Sequence, residues 1–126
     1  MILADTDVLI DALRGHEPAR GRVAEALDLG ALATTSITVF ELTSGARSDK
    51  QAAAIDDLLA AMPRLPFDDE AARAAAAARR ELEAAGRTIG MADYLIAGIA
   101  LSRSLPLLTR NRKHFERVPG LLLVDL

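Results

Sequence analysis

A chain of 126 residues, 51% of them apolar, suits one domain with a true core and excludes a disordered segment. The absence of cysteine excludes disulfides and thiolate zinc sites, and a net charge of −3 argues against a passive basic coat for nucleic acid. With only 3% aromatic residues, the core must be aliphatic and alanine-rich, and few rings are available for stacking on bases.

In chain order, Ile2–Ala4 is predicted as a short buried strand. A helix follows over Thr6–Leu13, with Val8, Leu9, Ala12 and Leu13 on one face, and Gly15 ends it. A second helix runs from about Glu17, with Pro18 in its first turn, to Gly30 just beyond its end. Leu32–Thr35 reads as a strand. Ile37–Gly45 reads as a helix with Ile37, Phe40 and Leu42 apolar, and Asp49–Met62 as another, bounded by Pro63. Arg64–Phe67 is a short strand. Asp68, Asp69 and Glu70 then place negative charge at the start of a long helix to about Ala85, where it favours the helix dipole.

Gly90–Arg103 is apolar on nearly every side, the mark of a buried helix. Leu105–Thr109 is a buried strand, Arg110–Phe115 a basic turn or short helix, and Pro119-Gly120 turns the chain into a last strand over Leu121–Val124. Strands alternating with helices predict an α/β fold with a mainly parallel sheet, in one domain spanning residues 1–126 without linker or repeat. The N-terminal apolar run is too short for a signal peptide, and no uncharged stretch reaches the ~18 residues of a membrane span. Both predict a soluble, cytoplasmic protein.

Three acids stand alone among apolar neighbours. Asp5 ends the run Met1-Ile2-Leu3-Ala4. Glu41 is the only charge between Ala31 and Ala46, and Asp93 the only one between Ile89 and Leu101. An acid in apolar surroundings loses hydration and needs a donor, a cation or a metal. A divalent cation shared by all three is the economical partner, because clustered carboxylates do not stay ionised together without one. In parallel sheets, ligands bind beyond the carboxyl ends of the strands, where strand order reverses. Asp5 and Asn111 each follow a predicted strand. If those strands are neighbours, both face one crevice, with Glu41 and Asp93 on helices that close over it.

Each residue also has a plainer reading. Asp5 suits a helix cap, Glu41 a solvated helix face, and Asn111 a turn. Asp93 resists such a reading, since a lone acid in an apolar helix is costly. His16 and His114 lack a paired zinc spacing, while Tyr94 and Phe115 adjoin apolar neighbours and read as packing residues.

Four segments, Met1-Ile2-Leu3-Ala4-Asp5-Thr6-Asp7-Val8-Leu9-Ile10-Asp11, Ser36 to Glu41-Leu42, Gly90-Met91-Ala92-Asp93-Tyr94-Leu95-Ile96-Ala97, and Leu108-Thr109-Arg110-Asn111 with His114-Phe115, occur in an order that resembles the PIN-domain ribonucleases, most closely the VapC-type toxins of prokaryotic toxin–antitoxin pairs. The resemblance covers essentially the whole chain. It implies a three-layer α/β/α sandwich around a five-stranded sheet of order 3-2-1-4-5. It also implies that Asp5, Glu41 and Asp93 bind metal, with the family's fourth, often acidic, position falling on Asn111. An amide oxygen can coordinate magnesium or orient a water, but it is uncharged and holds a second ion less tightly.

The implied activity is a magnesium-dependent endoribonuclease, with manganese as a substitute, which uses metal-activated water to leave a 5′-phosphate and a 3′-hydroxyl. Implied partners are a VapB-type antitoxin, an RNA substrate (tRNA, rRNA or mRNA) and a second toxin copy in a homodimer. Within that frame Asp5 and Asp93 are ligands, Glu41 a ligand or the holder of the attacking water, and Asn111 an orienting group. Thr6 and Thr109 supply supporting hydroxyls, and Asp7 caps the first helix or supports the site. Arg110, Arg112 and Lys113, in a basic segment with His114 and Arg117, are candidates for RNA contact. Two other readings stay open. Asp5-Thr6-Asp7 resembles the Asp-x-Asp opening of haloacid-dehalogenase-like phosphomonoesterases. The neutral Asn111 suits a catalytically impaired PIN domain that only binds RNA or protein.

Overall fold

The computed structural model describes residues 1–126 and follows the predicted alternation. In order, the elements are β1 (Ile2–Ala4), α1 (Thr6–Leu13), α2 (Ala19–Asp28), β2 (Leu32–Thr35), α3 (Ser36–Gly45), α4 (Asp49–Ala60), β3 (Arg64–Leu65), α5 (Asp69–Ala84), α6 (Met91–Arg103), β4 (Leu107–Leu108), α7 (Arg112–Phe115) and β5 (Leu123–Val124). The strands form one sheet of order β3-β2-β1-β4-β5, parallel at every pairing. Strand order therefore reverses between β1 and β4, the adjacency that the crevice requires.

The pleat sends successive residues to opposite faces, so the sheet carries two cores. Leu3, Ala33 and Leu107 pack with α5, α6, Phe115 and Val118 on one face. Ala4, Leu32 and Leu108 pack with Val8, Leu9, α2 and the α3–α4 pair on the other. With no tryptophan and few rings, the density comes from small residues in close approach. Ala71, Ala75, Ala78 and Leu82 are the buried stripe of α5, and Ala71 and Ala75 meet Gly98 of α6 at a separation that leaves no room for a side chain.

Helix starts follow the local chemistry. Thr35, Ser48 and Asp68 cap α3, α4 and α5 by accepting the N–H of Thr38, Gln51 and Ala71. α2 begins at Ala19, with Pro18 at its cap position and no side-chain cap. Several boundaries contract from the predicted ones for identifiable reasons. β3 stops at Leu65, because Pro66 has no N–H for a ladder. β4 starts at Leu107, because the N–H of Leu105 is spent on Ala100 O at the end of α6 and Pro106 has none. β5 starts at Leu123, because the N–H of Leu121 turns back to Val118 O. α4 ends at Ala60, with Met62 N–H bonded to Leu59 O in a tighter last turn. Of the apolar residues of α3, Phe40 points outward and is 70% exposed, while Thr38 and Leu42 fill the buried side. No helix is long and apolar enough to cross a membrane.

Candidate metal centre

Asp5 leaves the end of β1 at the middle of the sheet and is buried. It caps α1: its Oδ1 accepts the N–H of Thr6 at 2.8 Å. Its Oδ2 accepts the hydroxyl of Thr109, the residue after β4, at 2.7 Å. The capping and site readings of Asp5 thus describe one side chain, because the cap aims the carboxylate across the carboxyl ends of β1 and β4. Asp7 does not cap α1. It lies in the first turn, half-buried, and its Oδ1 accepts the N–H of Arg110 at 3.3 Å.

Glu41 reaches the same place from α3. Its Oε1 accepts the hydroxyl of Thr6 at 2.7 Å, so Thr6 grips Asp5 with its amide and Glu41 with its hydroxyl. Asp93 arrives in the first turn of α6, its side chain 22% exposed. The Asn111 amide donates to Asp93 Oδ2 at 3.4 Å, and the Asn111 N–H donates to the Thr109 hydroxyl oxygen at 2.9 Å. A continuous hydrogen-bonded path therefore runs from Glu41 through Thr6, Asp5, Thr109 and Asn111 to Asp93. Four segments far apart in sequence meet on it.

Electrostatics agree with the geometry. Burial pushes the Asp5 carboxyl up to about 7, the negative charges of Asp7 and Asp93 add to that, and the bonds from Thr109 and Thr6 oppose it. Burial also raises Asp7, against the pull of Arg110. Asp5 is thus a buried carboxylate among other carboxylates with too little positive charge to hold it ionised. The carboxylates around it, Asp7 and Asp93, offer oxygens suited to a hard divalent cation. As they stand, no three His, Asp or Glu side chains are close enough together to hold an ion. The fit rests on the donor chemistry and on the uncompensated charge at Asp5.

That charge has a consequence for the metal-free protein. The folded Asp5 keeps its proton to about pH 7, whereas the unfolded one releases it near 3.8, so the folded state binds more protons in between. The stability linked to Asp5 is complete below about pH 4 and is lost as pH rises towards 7. Asp5→Asn keeps a capping side chain and removes the charge. In chelator at pH 8 it is expected to raise unfolding stability by about 2 kcal/mol, with little effect at pH 4. Urea unfolding at the two pH values checks this, and equal stability of the two proteins at pH 8 contradicts it.

Two features were not visible in the sequence. His114, set aside for want of a zinc spacing, places Nδ1 3.0 Å from the Asn111 amide and 3.3 Å from Asp93 Oδ2. Thr38 and Thr35 are buried behind Thr6, the Thr38 hydroxyl bonded to that of Thr6 and the Thr35 hydroxyl to that of Thr38. Of the basic segment, Arg110 is paired with Asp11 at 2.9 Å, and Arg112 with Asp125 at 3.0 Å and Glu116 at 3.7 Å. Lys113 is exposed and enters no ion pair, whereas Phe115 and Tyr94 are buried as packing residues.

The model of the PIN domain matches residues 2–121. The chain is 34% identical over 127 aligned positions to the tRNA(fMet)-specific endonuclease VapC of Shigella flexneri, covering 98% of this chain and 96% of that one. Among solved structures, DNA-bound VapBC from Salmonella typhimurium superposes with a TM-score of 0.89 at 31% identity, covering 99% of this chain and 98% of that one. VapBC2 from Rickettsia felis, bound to a fragment of its promoter DNA, gives 0.90 at 26% identity over 100% of this chain and 99% of that one. On sequence, fold and strand order together, this chain belongs to the PIN-domain family and, within it, to the VapC group.

Proposed function

We propose that this protein is a divalent-metal-dependent endoribonuclease, the toxin of a toxin–antitoxin pair, and that a VapB-type antitoxin neutralises it. The observation that supports this most is the unbroken path from Glu41 to Asp93, which ties three acids and Asn111 to one end of the sheet. The names of the relatives add the reaction class, and the VapBC complexes among the structural neighbours add the partner.

Magnesium is the proposed ion and manganese its substitute, and when bound it supplies an acidified water and positive charge at the scissile phosphate. Asp5 and Asp93 would hold it, with Glu41 as a third ligand or as the holder of the attacking water. Asp5 has one bond to each oxygen, so its orientation is set before any ligand arrives, and its remaining lone pairs are available. Glu41 is anchored through Oε1 by Thr6 and offers its other oxygen to the attacking water. Asn111 holds Asp93 from behind and orients water or substrate with its amide. Asp7 contributes negative charge beside Asp5 and docks the Arg110 backbone. Lys113 meets the RNA backbone without having to break an ion pair, whereas Arg110 and Arg112 must first leave Asp11 and Asp125. No protein nucleophile is required, which separates this chemistry from the aspartyl-phosphate route of the phosphomonoesterases.

Purified protein incubated with RNA is expected to cut it only when magnesium or manganese is present. The products should carry 5′-phosphate and 3′-hydroxyl ends, as mapped by end-specific ligation. RNA that is bound but never cut supports the impaired, binding-only domain instead. Cyclic phosphate ends, or cleavage that persists in chelator, contradict the mechanism.

A further inference from the structure

We propose that Thr38, with Thr35 behind it, is a positioning residue for Glu41 that acts through the hydroxyl of Thr6. The inference rests on the nuclease reading above and goes beyond it to residues that touch neither metal nor substrate.

Three threonine hydroxyls stand in a row behind the Glu41 carboxylate. Thr6 Oγ1 is 2.7 Å from Glu41 Oε1, Thr38 Oγ1 is 3.0 Å from Thr6 Oγ1, and Thr35 Oγ1 is 3.2 Å from Thr38 Oγ1. All three side chains are buried, Thr35 and Thr38 completely, so water satisfies none of them from outside. Each hydroxyl has one proton to give. A carboxylate only accepts, so the Thr6 proton goes to Glu41. The Thr38 proton then goes to Thr6. Thr35 already accepts the N–H of Thr38 at 3.0 Å as the cap of α3, so its own proton is free to go to Thr38. The row has one consistent direction, Thr35 to Thr38 to Thr6 to Glu41, and each bond polarises the next.

This row does two things for the site. It fixes one Glu41 oxygen to the carboxyl end of β2, the strand on the far side of β1 from β4. It also strengthens the Thr6 hydroxyl as a donor, so that Glu41 is held as an acceptor in one orientation. Asp5 and Glu41 then keep their relative placement, because Thr6 is pinned by its amide at one end and by Thr38 at the other. Without Thr38, the Thr6 hydroxyl would still reach Glu41 but would lose the donor behind it. Loss of a partner of this kind behind a metal-site carboxylate typically costs roughly 10–100-fold in affinity or activity.

The test uses Thr38→Val, which keeps the branched shape and removes the hydroxyl, and Thr38→Ser, which restores the hydroxyl. Manganese affinity is measured on RNA-free protein by calorimetry, and kcat and KM on RNA separately. The expected result for Thr38→Val is a folded protein with about tenfold weaker manganese binding, lower kcat and unchanged KM, and recovery in Thr38→Ser. A merely structural role would weaken every variant alike, so the deciding measurement is a double-mutant cycle with Glu41→Gln. Acting through Glu41, Thr38→Val adds little to the loss of manganese affinity once Glu41 is replaced. Additive losses, wild-type manganese affinity in Thr38→Val, or no recovery in a folded Thr38→Ser overturns the proposal. A wild-type protein that binds manganese but does not cut RNA counts against the nuclease reading and leaves the cycle to decide the role of Thr38. A wild-type protein that takes up no manganese overturns both.

Discussion

Replacing Asp93 by asparagine is expected to lower magnesium-dependent RNA cleavage by at least about 100-fold, the upper end of what removing a partner behind a metal ligand costs. The substitution removes one charge and almost no volume. The side chain is partly open to solvent, and an asparagine amide can still bond Asn111 and His114. The melting temperature should therefore stay within a few degrees of wild type, which separates loss of the site from loss of the fold. In cells, the same substitution should relieve any growth arrest that the wild type causes. Assays of matched preparations, each with and without chelator, provide the comparison. Wild-type cleavage by a folded Asp93→Asn protein would remove Asp93 from the metal set.

The second large effect concerns stability. Gly98 lies in the middle of α6, where a Cβ would stand 2.7 Å from Ala75 Cβ and 2.9 Å from Ala75 N, and closer still to Ala71 O. Alanine normally favours a helix over glycine by about 1 kcal/mol. Here the obstacle is the backbone of α5, which cannot step aside as a flexible side chain does. Overpacking of this kind costs typically about 1–3 kcal/mol and more against backbone. We expect Gly98→Ala to destabilise by about 2 kcal/mol net and lower the melting temperature by about 8 °C. Gly98→Val should do more. Because α6 carries Asp93 at its start, pushing α6 off α5 should also weaken metal binding in whatever fraction remains folded. A rise in melting temperature on Gly98→Ala would mean that helix propensity outweighs the contact and that the two helices separate at little cost.

Much of this architecture is legible in the sequence. Helix periodicity, the acidic start of α5 and the glycines beyond helix ends all reflect local chemistry, so their elements appeared within a residue or two. The isolation of Asp5, Glu41 and Asp93 was legible for a related reason: an acid without charged neighbours has to be satisfied by something distant in sequence. The strand order was a different matter. It came from resemblance, because nothing local states that β4 pairs with β1 rather than with β3. Strand ends failed where a backbone N–H had another use, at Leu105 and Leu121, or was missing, at Pro66 and Pro106. The exposure of Phe40 is not legible in the pattern, because its helix buries a threonine and turns the ring outward.

The roles of Thr35, Thr38 and His114 are not legible in the sequence because they are relational. A threonine near a helix start usually caps that helix, and Thr35 does so. Only the placement of Thr6 against Thr38 turns the local cap into the root of a chain of donors that ends on Glu41, 35 residues from Thr6. His114 carries no motif by itself. α7 turns it towards Asp93, and the arrival of α6 gives it something to meet. The clearest signal available in the sequence was the run of threonines, Thr34, Thr35 and Thr38, ahead of a solitary glutamate, since hydroxyls buried beside an acid must donate to something.

The most direct measurement is anomalous scattering from crystals of the protein grown with manganese. A single strong manganese peak, in direct contact with carboxylate oxygens of both Asp5 and Asp93 and missing from crystals of Asp93→Asn, is the predicted result. Manganese bound elsewhere on the surface, with those two carboxylates left uncoordinated at saturating metal, would contradict the account at its centre.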